Sequence, residues 1–181
     1  MKNFSAIFLA LAATALAGCS TYSWRSEVPQ DMRTVLVPVF RNESSVTGLG
    51  SEITRQIARE FEREGTLEIA PAGEAALEVQ GIVKEADSGA VAYGRKSGQR
   101  NREYRLRAEA VVSFVDKKSG RVIVDNRRYV ASAPFMAGDD MLTGERDASG
   151  RLAEDMARRI VDDVLNELER LGRTNETEEL Q

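Results

Sequence analysis

Apolar residues fall at helical spacing in two stretches of this chain and alternate with polar ones in three others. Leu49, Ile53, Ile57 and Phe61 recur every four residues, which predicts an amphipathic helix over 48–64. Ser51, Glu52, Arg55, Arg59 and Glu62 fill its other side, and Gly65 can take the left-handed conformation that ends a helix. A second stripe holds Leu152, Met156, Ile160, Val164, Leu168 and Leu171, joined by Val161 and Leu165. It predicts a helix from an N-cap near Ser149 to a stop at Gly172. Glu154 with Arg158 and Asp155 with Arg159 are acid-first pairs four residues apart, the favourable order along a helix.

The strand signals lie between the helices. Thr34 to Phe40 is a β-rich run in which Pro38 removes a ladder donor, so the strand lies at an edge or ends in an irregularity. Arg41 to Thr47 reads as a loop. A short run from Leu67 to Ala70 precedes Ala76 to Ala86, where Leu77, Val79, Gly81 and Val83 form one face. From Glu103 to Val115 the pattern alternates again, with Tyr104, Leu106, Ala108, Ala110, Val112 and Phe114 inward. Asp116-Lys117-Lys118-Ser119-Gly120 is a tight turn into a partner strand over 121–131. Asp87 to Gln99 and Ser132 to Arg146 read as long loops, the second exposing Phe135, Met136, Met141 and Leu142 as partner-binding candidates. The order β-α-β-β-β-α predicts an α+β two-layer sandwich. Both helices cover one face of a mixed sheet of about four strands.

Composition narrows the chemistry. The 181 residues include one cysteine and no histidine, with a formal charge of −4. Without histidine no Ser-His-Asp triad, Cys-His pair or histidine metal site can be built. One cysteine makes no internal disulfide and no thiolate cluster. The acidic balance disfavours a nucleic-acid partner. Asp162 and Asp163 are helix neighbours that diverge by about 100° and read as solvated face. Asp139-Asp140 lacks the alternating pattern of a calcium loop. No catalytic residue, metal or cofactor is expected, and the chain reads as a non-enzyme.

The N-terminus reads as an address. A basic start at Lys2, a short apolar run from Phe4 to Ala17 and the sequence Leu16-Ala17-Gly18-Cys19 fit a signal peptide over 1–18. The run is shorter than the roughly 20 residues a spanning helix needs. Its end resembles the bacterial lipobox, in which the cysteine thiol receives a diacylglycerol. Cys19 is thus the expected lipidation site, and several acyl chains anchor a protein stably in a membrane. Residues 19–33 read as a tether whose Tyr22 and Trp24 rest at the membrane interface or on the domain's own surface. Residues 34–172 form one domain, and 173–181 a disordered polar tail. Ser20 in place of aspartate resembles the outer-membrane class of lipoproteins.

Inside this acidic chain one stretch has the opposite sign. Arg95, Lys96, Arg100, Arg102, Arg105 and Arg107 are six cations in thirteen residues, against one acid, Glu103. Guanidinium groups bind phosphate bidentately. They equally serve to balance acids across a sheet or keep an edge strand soluble.

Several segments together resemble a known family. They are Cys19 with Tyr22, Pro29, the run Val35-Leu36-Val37-Pro38-Val39-Phe40-Arg41-Asn42, and the helix end Glu60-Phe61-Glu62-Arg63-Glu64-Gly65. Leu77 to Val83, the turn at Ser119-Gly120 and the helix from Leu152 to Val161 complete the set. In this order they resemble LptE, the family of lipopolysaccharide-assembly lipoproteins. The resemblance implies a lipid anchor in the outer membrane facing the periplasm, and residence as a plug in the LptD β-barrel. It also implies assistance in delivering lipopolysaccharide to the cell surface, with basic residues of the strand-loop region meeting lipid A phosphate. The region from Arg95 to Arg107 is the comparable one here. The opening strand and helix also look like TolB-type and CsgG-type periplasmic domains, which act in envelope maintenance or secretion through protein contacts.

Overall fold

The computed structural model describes residues 28–96, 99–137 and 140–179, by backbone alone at 91–96, 99–102, 137 and 175–179. The segment expected to be a signal peptide, with Cys19, Tyr22 and Trp24, lies outside the described residues. A 3-10 turn at Gln30–Met32 leads into β1 (Thr34–Leu36), β2 (Arg41–Asn42), α1 (Leu49–Glu64), β3 (Glu68–Ile69), β4 (Leu77–Lys96), β5 (Gln99–Asp116), β6 (Val122–Ala137) and α2 (Met141–Glu179). The architecture is the expected α+β sandwich. The sheet has six strands rather than four, in the order β3-β1-β4-β5-β6, with β2 beside β4 further along. β1 is parallel to both β3 and β4, and the β4-β5-β6 meander is antiparallel. The folded unit starts before residue 34, because Val28 is buried in the core.

α1 forms where the stripe placed it. Leu49, Ile53, Ile57 and Phe61 are all buried. Gly65, at φ 71°, ends the helix by donating its N–H to the Phe61 carbonyl at 2.9 Å. Pro38 lies in the break between β1 and β2, so the irregularity it required is there.

The break delivers Phe40 into the core. Its backbone N–H donates to Thr54 Oγ1 of α1 at 2.9 Å, and Thr54 in turn donates to the Gly50 carbonyl at 2.8 Å. Two glycines make room. A Cβ at Gly81 on β4 would lie only 2.1 Å from the nearest carbon of the Phe40 ring, and one at Gly50 on α1 would collide with the Phe40 carbonyl oxygen.

Both regions expected to be long loops are strand and helix instead. β4 and β5 stay paired through 87–96 and 99–107, with Ala86↔Ala108, Ala90↔Tyr104 and Arg95↔Arg100 in register. Only 97–98 separates the two strands. Irregularities between Val83 and Glu85 and between Ala90 and Ala92 shift the side-chain phase, so Val83 and Ala86 both point inward. The glycines and serines of this stretch read as a loop because these bulges erase the period of two.

The segment 132–146 is likewise ordered. β6 runs to Ala137 and α2 starts at Met141, eight residues before Ser149. Asp140 caps α2, accepting the Leu142 N–H at 3.0 Å and the Thr143 hydroxyl. These bonds hold the Asp140 carboxyl below its usual range. Gly144 then passes close to β6, where an added Cβ would sit 3.0 Å from both the Met136 carbonyl oxygen and the Phe135 ring. At its other end α2 does not stop at Gly172 but continues to Glu179, so the expected polar tail is helical through that residue.

β6 carries its own bulge. Val124 is buried, and so are Tyr129, Ala131, Ala133 and Phe135, which is one residue out of phase. The extra residue lies at Asn126, which has φ 44° and donates its N–H to Ser113 Oγ at 3.0 Å. At the foot of the β5-β6 turn the Asp116 carboxylate accepts from the Ser119 hydroxyl at 2.5 Å and the Lys118 N–H at 2.9 Å. The Ser119 bond is the chief reason its pKa is lowered. Gly120 closes that turn at φ 71°.

Gly81→Ala should cost about 3 kcal/mol, because the new methyl must displace an enclosed ring. Gly89→Ala, with nothing within 4 Å of an added Cβ, is the control and should cost no more than about 0.5 kcal/mol. Urea denaturation followed by far-ultraviolet circular dichroism separates the two. Equal midpoints would refute the wedge.

Candidate functional site

The helices cover one face of the sheet and leave the other open. Across β6, β5 and β4 the open face is built of rows set by the register. Arg128, Val111 and Ile82 form one row, then Val130, Glu109 and Glu85. Ser132, Arg107 and Asp87 follow, then Pro134, Arg105 and Gly89. Arg128 Nε meets Glu109 Oε1 at 3.1 Å and so is neutralised locally.

Arg105 and Arg107 are different. Both are exposed, two residues apart on the open face, and neither is in an ion pair among the described residues. Arg105 is flanked on its row by glycine and proline, so nothing anionic stands beside it on the neighbouring strands. Two unshared guanidinium groups on one face suit an anionic group with several oxygens, such as phosphate.

Arg95, Lys96, Arg100 and Arg102 enter by backbone position only. β5 pairs with β6 from Arg102 onward, so 99–101 and their partners 94–96 continue as a two-stranded ribbon beyond the third strand. The register pairs 95 with 100 and 93 with 102, placing four basic positions at the ribbon's end. The expectation of a basic loop above a basic strand becomes a basic hairpin continuous with the strand.

The apolar candidates separate. Phe135 is only 5% exposed and stacks on Tyr104, with ring centroids 5.6 Å apart, so it is core rather than a docking residue. The alternation of β6 carries it inward once the strand extends to Ala137. Met136, Met141 and Leu142 remain in water at 57%, 40% and 72% exposure. Leu142 also lines a cleft of about 510 Å³ between the starts of the two helices, with Val46, Leu49, Glu52, Glu145 and Arg146.

One polar constellation escaped the sequence. Asp163 is not a solvated neighbour of Asp162. It accepts the Tyr129 hydroxyl at 2.9 Å and Arg127 Nη1 at 3.2 Å, while Arg127 Nη2 reaches Glu167 Oε1 at 3.0 Å. The Asn126 bulge aims Arg127 and Tyr129 at α2. Burial, then the bond to Asp163, pushes the Tyr129 hydroxyl well above its ordinary pKa. Acids at 163 and 167, one turn apart beside the apolar stripe, were the available signal. The group ties helix to sheet, and all its members are engaged with one another.

The family model "LptE: Lipopolysaccharide-assembly" matches residues 32–168, most of the chain. The chain belongs to the LptE family. No curated protein matches it. Among solved structures, the fold is similar to that of a protein from Xanthomonas campestris at 11% identity, covering 78% of this chain and 88% of that one, with a TM-score of 0.53. A hypothetical protein from Chlamydia trachomatis is similar at 15% identity, covering 75% and 96%, with a TM-score of 0.50. At these identities both speak to the fold alone. No helix among the described residues is long and apolar enough to cross a membrane.

Tyr129→Phe keeps the ring and removes the bond to Asp163, so it should cost about 1 kcal/mol at neutral pH. The raised pKa means that stability is full below about pH 10, where the unfolded tyrosine starts to ionise, and falls above it. Equilibrium unfolding at pH 8 and pH 11 should show a smaller alkaline loss in the variant than in the native chain. Identical losses would show that Tyr129 ionises as freely folded as unfolded.

Proposed function

We propose that this chain is an outer-membrane lipoprotein that assists the transport and insertion of lipopolysaccharide at the cell surface. It acts as plug and assembly partner of an LptD-type β-barrel. The family match over 32–168 carries the reading. LptE proteins are non-enzymatic lipoproteins, so the work is binding and hand-over rather than bond chemistry.

Each region then has a task. After removal of 1–18, acyl chains on Cys19 hold the domain at the periplasmic side of the outer membrane. Met136, Met141 and Leu142, gathered where β6 hands over to α2, seat against the inner wall of the barrel. Arg105 and Arg107 on the open face receive lipid A phosphates, and Arg95, Lys96, Arg100 and Arg102 extend the same field along the hairpin. Two guanidiniums already paired to carboxylates would gain little from a phosphate. Arg105 and Arg107, in no ion pair among the described residues, are open to a charge-assisted bond, and Arg105, with no acid in its row, is the more available of the two.

The test joins a pull-down to a charge reversal. The tagged native chain, recovered from detergent-solubilised outer membrane, should bring down a large β-barrel, and its depletion should lower both folded barrel and surface lipopolysaccharide. Arg105→Glu/Arg107→Glu should keep the fold and the barrel but bind lipopolysaccharide at least tenfold more weakly, the order of effect expected for two charged contacts. No barrel in the pull-down, or undiminished lipopolysaccharide binding, would overturn the corresponding half.

A further inference from the structure

β6 is the last strand of the sheet, and no strand pairs with its outer edge among the described residues. Such an edge is a template for another strand. This one is long, running from Val122 to Ala137, and its backbone is that of an ordinary antiparallel strand beyond the Asn126 bulge.

Two arginines of α2 reach that edge. Arg151 Nη2 donates to the Pro134 carbonyl at 2.7 Å, and Arg159 Nη1 to the Val130 carbonyl at 3.4 Å. The spacing is matched. Eight residues of helix rise about 12 Å, and four residues of strand span about 13 Å. Because α2 runs antiparallel to β6, each arginine lands on the next outward carbonyl but one. In an antiparallel strand a residue's N–H and C=O leave on the same side, so 130, 132 and 134 all face the open edge. Pro134 has no N–H to offer there. Asp155 holds Arg159 in place at 2.8 Å.

The geometry points to a guarded self-association edge: Arg151 and Arg159 occupy the outward carbonyls of β6 and thereby keep a second copy of this chain from adding its own β6 antiparallel to the first. A second copy is the fitting occupant because two β6 edges are self-complementary about Ser132: each Ser132 N–H meets the other copy's Ser132 carbonyl, and each Val130 N–H meets the Pro134 carbonyl that Arg151 otherwise occupies, while Arg159 stands in the way at the Val130 carbonyl opposite Pro134, which has no N–H. The role is independent of lipopolysaccharide binding, since neither arginine lies on the open face.

The experiment uses the full chain in a density-matched detergent. Arg151→Ala/Arg159→Ala should turn a monomer into a concentration-dependent dimer by sedimentation equilibrium, with self-association at least tenfold tighter than in the native chain. Amide exchange at Val130 and Ser132 should slow at least tenfold between dilute and concentrated samples of the variant and stay constant in the native chain. Arg151→Lys/Arg159→Lys, which retains a donor at each carbonyl, should stay monomeric. If circular dichroism shows that the double variant has lost its fold, Arg151→Ala carries the test, because the Arg159 pair with Asp155 is then intact. A folded variant that remains monomeric, with exchange at Val130 and Ser132 independent of concentration, would overturn the inference.

Discussion

Phe40 has to fit between a helix and a strand, and both give up a side chain to admit it. Gly50 on α1 lets the Phe40 carbonyl approach, and Gly81 on β4 lies beneath the ring. The Phe40 amide closes on Thr54, so backbone and side chain of one residue fix the distance from α1 to the sheet. Everything further along β4 is built from that root. The parallel contacts of β1 and β2 fall on either side of Gly81, and the long hairpin with β5 continues from it. A wedge of this kind tolerates little change, because protein interiors relax only partly around added volume.

The sequence was legible where one period ran unbroken. The α1 stripe, the alternation from Tyr104 to Phe114 and the turn at Gly120 all lie where periodicity placed them, because burial of one face rewards a constant repeat. Legibility failed at phase shifts. The bulges near Lys84, Val91 and Asn126 each insert a residue, so strands that stay paired look irregular when read one residue at a time. Glycine misled in the helices for a related reason. Gly144 is needed for close approach to Phe135 and does not mark a loop, and Gly172 is carried inside the helix. Of the site, the exposed pair Arg105 and Arg107 was legible from alternation. Phe135 was not, since its burial depends on β6 running six residues beyond the expected strand.

The two faces of the sheet have different chemistry because one is covered and the other is not. On the covered side Arg127 and Tyr129 are committed to Asp163 and Glu167, which pins α2 along β6. On the open side Arg128 is committed to Glu109, while Arg105 and Arg107 are in no ion pair among the described residues. A net charge of −4 conceals this arrangement. Arg105 and Arg107 are held two residues apart on a strand paired on both sides, so little ordering would be required of that backbone on binding.

A photo-crosslinking amino acid at position 105, compared with one at the solvent-facing helix position 162, addresses the open face most directly in living cells. Lipopolysaccharide held on the open face gives adducts from position 105 and none above background from position 162. Adducts of equal yield from both positions, or from 162 alone, would contradict it.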